Sequence, residues 1–180
     1  MKSMKTHLKK VVGNVKLTYE EMSTLLTQIE ACFNSRPLVS IPNDDDGIEA
    51  LTPGHFLIGQ PLQALPDDVF AYVHSISSLR RWRLCQALLH HFWKRWRTEY
   101  ITHIGRFTRW HHPTRNITVG DIVLLRDDSP LPTKWPLARV TRVHPGKDGL
   151  VRVTTIKTGT GVYTRPVTTL ALLLPSESED

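Results

Sequence analysis

The stretch Ser78–Ile104 decides how the chain is built. Leu79, Trp82, Cys85, Leu89, Phe92, Trp93, Trp96 and Tyr100 recur there at steps of three and four. That spacing lays a broad aromatic stripe along one face of an α-helix. Arg80, Arg81, Arg83, Lys94, Arg95 and Arg97 fill the remaining positions, and Glu99 is the one acid opposing them. At 1.5 Å per residue such a helix runs roughly 40 Å. It predicts a basic strut joining the N-terminal part of the chain to the C-terminal part.

Before the strut the pattern is helical. Lys2–Val12 predicts a short basic helix ended by Gly13-Asn14. Its residues read as mid-helix with no capping residue ahead of them, so an earlier turn is expected beyond Met1. Thr18 and Glu21 form a capping box for a second helix with its stripe at Met22, Leu25, Leu26, Ile29, Cys32 and Phe33. Asn34-Ser35-Arg36-Pro37 ends that helix, because the residue before a proline avoids the α region. Residues 43–47 predict a solvated loop, Thr52-Pro53 opens a short helical turn, and residues 59–66 read as an irregular linker.

After Trp110 the periodicity changes. His111-His112-Pro113 breaks the helix, and strands are expected at Ile122–Arg126, Leu137–His144, Leu150–Lys157 and Gly161–Pro166. Val167–Leu174 reads as a terminal strand or turn. Pro145–Gly149 and Thr158–Gly161 supply the turns between them. Four or five short strands within about 60 residues predict a small SH3-like barrel. The fold class is therefore α+β: N-terminal helices over residues 1–60, linker and long helix over 61–112, barrel over 113–175 and an acidic tail at 176–180.

Charge follows the same division. Residues 1–76 carry 6 Lys/Arg against 9 Asp/Glu, residues 77–115 carry 9 against 1, and residues 116–175 carry 8 against 4. The net charge of +6 thus sits in the strut and the strands, which points to a polyanionic partner. Cys32 and Cys85 show no disulfide or metal-pair spacing, as expected of a reducing, nuclear or cytoplasmic setting. The N-terminus lacks the apolar core of a signal peptide, and no apolar run reaches ~18 residues. No membrane association is expected.

Several blocks together carry a family resemblance. Leu17–Glu21, Gln28–Cys32 and Asn34–Leu38 resemble the end of the integrase core of BEL/Pao-type retrotransposons. Leu51–Gly59 resembles that family's next block, and His91–Trp96 with Glu99-Tyr100 resembles the helix opening its C-terminal region. Val119–Leu124, Trp135–Val140 and Arg165–Val167 continue the match in order. The resemblance implies that the N-terminal helices are the remnant of a ribonuclease-H-like core. It also places the third catalytic Glu by analogy three residues before Met1, with two catalytic Asp residues further upstream.

Strand transfer uses clustered carboxylates to hold two Mg²⁺ ions ~3.5–4 Å apart. Glu20, Glu21, Glu30 and the adjacent Asp44, Asp45 and Asp46 are not arranged to replace them. The expectation is a chain with no catalytic residues, no bound metal and no cofactor of its own, Mg²⁺ belonging only to a complete integrase.

What remains is expected to bind DNA without reading sequence, through phosphate contacts. The candidate residues are Lys2 and Lys5 on the first helix and Arg80, Arg81, Arg83, Lys94, Arg95 and Arg97 on the strut. Arg139, Arg142 and Arg152 are the candidates on the strands. The strut's tryptophans are assigned to packing rather than base stacking. Two alternatives stand beside this reading. One is a host-retained protein–protein or chromatin interaction module, in which Trp135 and Tyr163 could cage a methylated lysine. The other is self-association: the Leu25, Ile29 and Phe33 stripe would stay uncovered without the sheet it was built to face. His90, His91, His103, His111 and His112 lack the cysteine partners and spacing of a closed zinc site.

Overall fold

The computed structural model describes residues 2–41, 48–62, 76–111, 116–126 and 131–174. Helix α1 spans Lys2–Val12 and α2 spans Tyr19–Asn34. The capping box at the start of α2 is present: Thr18 Oγ1 accepts from the Glu21 N–H at 3.3 Å, and Glu21 Oε2 accepts from the Thr18 N–H at 2.8 Å. At its end Ser35 Oγ donates to the Cys32 carbonyl at 2.9 Å, turning the chain toward buried Pro37.

Two short strands then appear that the sequence did not announce, β1 at Val39–Ile41 and β2 at Glu49–Leu51. They pair antiparallel with Val39 opposite Leu51. Strands of three residues hold too little alternation to register as a period of two. The acidic loop read between them lies outside the described residues, and so does the second half of the linker at 59–66. Helix α3, Pro53–Ile58, opens with Pro at its first turn as expected. Gly54 lies where a Cβ would come within 3.2 Å of the Asn34 carbonyl oxygen and of Leu62, so a larger residue would push α3 a few tenths of an ångström off the end of α2.

The strut is α4, Ile76–His111, a helix of 36 residues and therefore about 54 Å long. It outruns the expected end at Ile104 because Gly105 alone weakens a helix by only ~1 kcal/mol, and it continues to the residue preceding His112-Pro113. Leu88, Leu89, Phe92, Trp93 and Trp96 of α4 form one core with Leu25, Ile29 and Cys32 of α2. Phe33 meets Phe92 and Trp96 edge-on, with ring centroids 5.7 and 4.7 Å apart. This corrects the expectation of an uncovered α2 stripe. Leu25 and Ile29 are fully buried because α4 folds back over them.

The C-terminal part is a five-stranded antiparallel sheet in the order β6-β5-β4-β3-β7. Its strands are β3 Ile122–Leu125, β4 Leu137–Pro145, β5 Val151–Thr158, β6 Gly161–Pro166 and β7 Leu170–Leu174. A 3-10 turn at Val167–Thr169 separates the last two, resolving the expected strand or turn into both. Val123, Leu125, Ala138, Val140, Ile156 and Leu170 fill the core on one face. On the other, Leu124 and Ala171 pack against Ile101 of α4. Strand β3 is buried along its whole length for this reason, being covered on both sides.

The two bodies meet at Trp135. Its ring contacts Trp93, Trp96 and Tyr100 at centroid distances of 4.9, 5.5 and 5.3 Å, and its Nε1–H donates to Ser35 Oγ at 3.1 Å. Helix α4 therefore belongs to both cores and is no free-standing linker.

Candidate nucleic-acid interface

At 3.6 residues per turn, Arg80, Arg83, His91, Lys94 and Arg95 fall within about 120° of the α4 circumference, and all are exposed. Opposite them lies the apolar stripe in the core, so burial of the aromatic face fixes which side of α4 meets solvent. From Arg80 to Arg95 the basic row extends about 22 Å. Glu99 stands to one side of this row and is drawn off by His7 of α1, whose Nε2 it contacts. Glu99, its side chain 54 % exposed at the margin of the row, is the one acid of α4.

Three expected contact residues are placed elsewhere by their surroundings. Arg97 is buried, 5 % exposed, and its Nη2 donates to the Leu125 carbonyl at 2.9 Å. Its position at the edge of the apolar stripe carries it under the end of β3, where it ties helix to sheet, so its assignment to the outward basic face is corrected. Arg81 reaches across to α2: Nε donates to Glu21 Oε1 at 2.6 Å, and Nη2 contacts Glu21 Oε2 and the Lys16 carbonyl. The guanidinium holds the Glu21 carboxyl below the ordinary range. Arg152 forms a two-pronged pair with Asp148 four residues earlier, which lowers that carboxyl to about 2. These two arginines are exposed yet largely neutralised.

Of the remaining candidates, those whose side chains are described are exposed. Lys5 is exposed on α1, while the Lys2 side chain lies outside the described residues, as do those of Arg106, Arg109 and Arg115. Arg139 and Arg142 are exposed on β4. Register sets Arg139 opposite Lys157 and Arg142 opposite Thr155, with a bulge between Val140 and Arg142. The bulge returns Arg142 to the face of Arg139, because one extra residue offsets the alternation. Arg139 also lies opposite Ile122, neighbouring the Leu124 positions on the face packed by α4.

The described acids do not build a two-metal centre. Glu21 is held by Arg81, Asp148 by Arg152, and Asp121 is fully buried where its Oδ2 accepts from the Thr118 N–H at 2.8 Å. No group of three or more His, Cys, Asp or Glu among the described residues could hold a metal ion. Asp44, Asp45, Asp46 and His112 fall outside that set. Likewise, no described helix is long and apolar enough to cross a membrane.

Both thiols are reduced and buried. Burial pushes the Cys32 thiol up to about 12 and raises that of Cys85. Because only the thiolate attacks, a disulfide reagent such as DTNB at pH 8 is expected to label neither cysteine rapidly in the native protein. Raising the pH to 9.5 should bring little acceleration at Cys32, whose thiol still titrates well above that. Denaturation should release both. Rapid native labelling at pH 8 would contradict the burial described.

Trp135 and Tyr163, the pair considered as a methyllysine cage, do reach one place: a cleft of about 590 Å³ at the end of the sheet. Arg165 lines it too, and this residue was missed. Its signal was present in the strand alternation, since Tyr163 and Arg165 two apart on β6 share a face.

No curated protein and no solved structure matches the chain. A family model does, over residues 80–173, the span from the first arginine of the basic row to the last strand. That is more than half of the chain, and it joins α4 and the sheet into one unit just as the packing of Trp135, Arg97 and Ile101 does. The chain belongs to the family of unknown function DUF5641.

Proposed function

We propose that the chain is the C-terminal portion of a BEL/Pao-like retrotransposon integrase or polyprotein, and that it binds DNA through phosphate contacts without reading sequence. The observation that carries this reading is the basic row Arg80, Arg83, Lys94 and Arg95 on the solvent face of α4. Phosphate positioning needs only cations held at a fixed spacing, and a rigid helix anchored in two cores holds them so. Arg139, Arg142 and Lys157 extend the positive surface onto the sheet. The family is one that occurs in retrotransposon-type proteins, which supports the same origin.

In this reading the five antiparallel strands are an SH3-like domain, and α1 to α3 are the last helices of a ribonuclease-H-like core now closed over by α4. In this reading the chain itself carries out no strand transfer and needs no cofactor. It works in the nucleus or cytoplasm.

Fluorescence anisotropy with two unrelated labelled duplexes of equal length tests the proposal. Equal affinities, both weakened by salt, are expected. A preference for one duplex over the other by more than about tenfold, which is 1.4 kcal/mol, would point to base readout and against this function.

The alternative, a protein-interaction module, draws on a different observation. Phe56, Leu57 and Ile58 of α3 are 73 %, 64 % and 54 % exposed, and a contiguous apolar patch of this kind marks contact surfaces. Light scattering on the purified chain separates the cases: a monomer at all concentrations removes self-association through this patch.

A further inference from the structure

The acidic tail at 176–180 has no part in the phosphate contacts of α4 and β4. Its five residues hold three acids, Glu177, Glu179 and Asp180, and no base. They lie outside the described residues, but the sheet fixes where they start. Strand β7 ends at Leu174, whose register partner on β3 is Ile122. Ile122 is in turn the partner of Arg139 on β4. Leu174 and Arg139 therefore stand in one row across the sheet, two strand spacings or about 10 Å apart.

Direction agrees with position. Both β7 and β4 are antiparallel to β3, so they run the same way. From Arg139, β4 proceeds to Arg142, about 10 Å further along. A chain leaving Leu174 on the course of β7 heads toward the same level. Glu177 is three residues beyond Leu174 and Glu179 five, which an extended chain converts to about 10 and 17 Å of reach. Those lengths bring Glu177 to the level of Arg139 and Glu179 to that of Arg142.

Charge selects these two arginines. Both are exposed, and the bulge sets them on one face of β4. Their register partners are Ile122, Lys157 and Thr155, none of them an acid. Arg81 and Arg152, by contrast, already hold the carboxylates of Glu21 and Asp148. A guanidinium offers a carboxylate two parallel N–H donors, so a tail acid finds its open forks at Arg139 and Arg142.

We infer that the tail at 176–180 docks on Arg139 and Arg142 and competes with nucleic acid for this part of the basic surface. The contact stands on register, reach and charge; only the competition rests on the proposed DNA binding. Exposed ion pairs are individually weak, so the tail tunes affinity rather than blocking it. Salt loosens it, because the screening length falls from about 10 Å at 0.1 M to about 3 Å at 1 M.

The contact is read first without DNA, on the full chain. Glu177→Gln, Glu179→Gln and Asp180→Asn together are expected to shift the side-chain Nε–H signals of Arg139 and Arg142 in ¹⁵N NMR at low salt, leaving those of Arg81 and Arg152 in place. At 1 M salt the Arg139 and Arg142 signals of the two chains should coincide. Signals from Arg139 and Arg142 that are already identical at low salt would overturn the inference. Fluorescence anisotropy with a labelled duplex then reads the competition. Neutralising the tail should tighten binding about three- to tenfold near 0.1 M salt, the scale of two exposed ion pairs. That gain should vanish when Arg139→Gln and Arg142→Gln are also present, which separates docking on these arginines from a general change in net charge. A gain of equal size in that background would overturn the inference. A native chain that binds no duplex would instead count against the proposed function, and the NMR comparison would still decide the tail contact.

Discussion

Trp135→Ala is expected to lower the unfolding free energy by about 3–5 kcal/mol, the range for deleting a packed aromatic side chain. Trp135 carries more than its own burial. It meets Trp93, Trp96 and Tyr100 on α4, and its indole N–H donates to Ser35 Oγ at the end of α2. Truncation leaves a cavity between the helical core and the sheet. It also leaves the buried Ser35 hydroxyl, which donates to the Cys32 carbonyl, without the donor it accepts from. The two bodies should then melt less cooperatively, so chemical denaturation followed by near-ultraviolet and far-ultraviolet signals is the informative measurement. Coincident transitions with a loss below about 1 kcal/mol, the size of an ordinary surface change, would mean that Trp135 does not join the two cores.

The second large effect concerns binding. Changing Arg80, Arg83, Lys94 and Arg95 together to glutamine should weaken duplex DNA binding by about 10²–10³-fold near 0.1 M salt, because each lost phosphate contact removes the release of roughly 0.9 counterion. All four side chains are exposed, so thermal stability should stay close to native. Arg97→Gln serves as the contrasting variant. Arg97 is buried and hydrogen-bonded to the Leu125 carbonyl, so its loss should lower stability with little direct effect on the salt dependence of binding. An affinity drop in the Arg97 variant as large as in the fourfold variant would show that the outward row is not the binding surface.

Much of this architecture was legible from the order of residues, and particular elements explain why. Strand β4 was readable because Ala138, Arg139 and Val140 alternate between core and solvent. The Pro145–Gly149 and Thr158–Gly161 turns then fixed the lengths of its neighbours. Helix α4 was readable from its aromatic steps, and the assignment of those aromatics to packing agrees with the burial of Phe92, Trp93 and Trp96.

What could not be read depends on distant parts of the chain. The fate of Arg97 is set by a carbonyl 28 residues later, and that of Arg81 by Glu21, 60 residues earlier. Helical periodicity sets Arg81 and Arg97 on the flanks of the row, but it does not name the distant partners that take them. The covering of Leu25 and Ile29 by α4 was missed for a related reason: a stripe declares that it will be buried, and it does not name its partner. The cleft draws on three separated segments, around Ile48, Trp135 and Tyr163, and exists only once they are folded together.

The central claim is that an exposed row of fixed cations holds a nucleic-acid backbone. Its most direct test is the slope of log affinity against log salt concentration for the native chain on a duplex of arbitrary sequence. With four or more phosphate contacts the slope should be about −3.6 or steeper, from ~0.9 per contact, and the fourfold glutamine variant should flatten it by about the same amount. A native slope near zero, or one that the variant leaves unchanged, would contradict the claim.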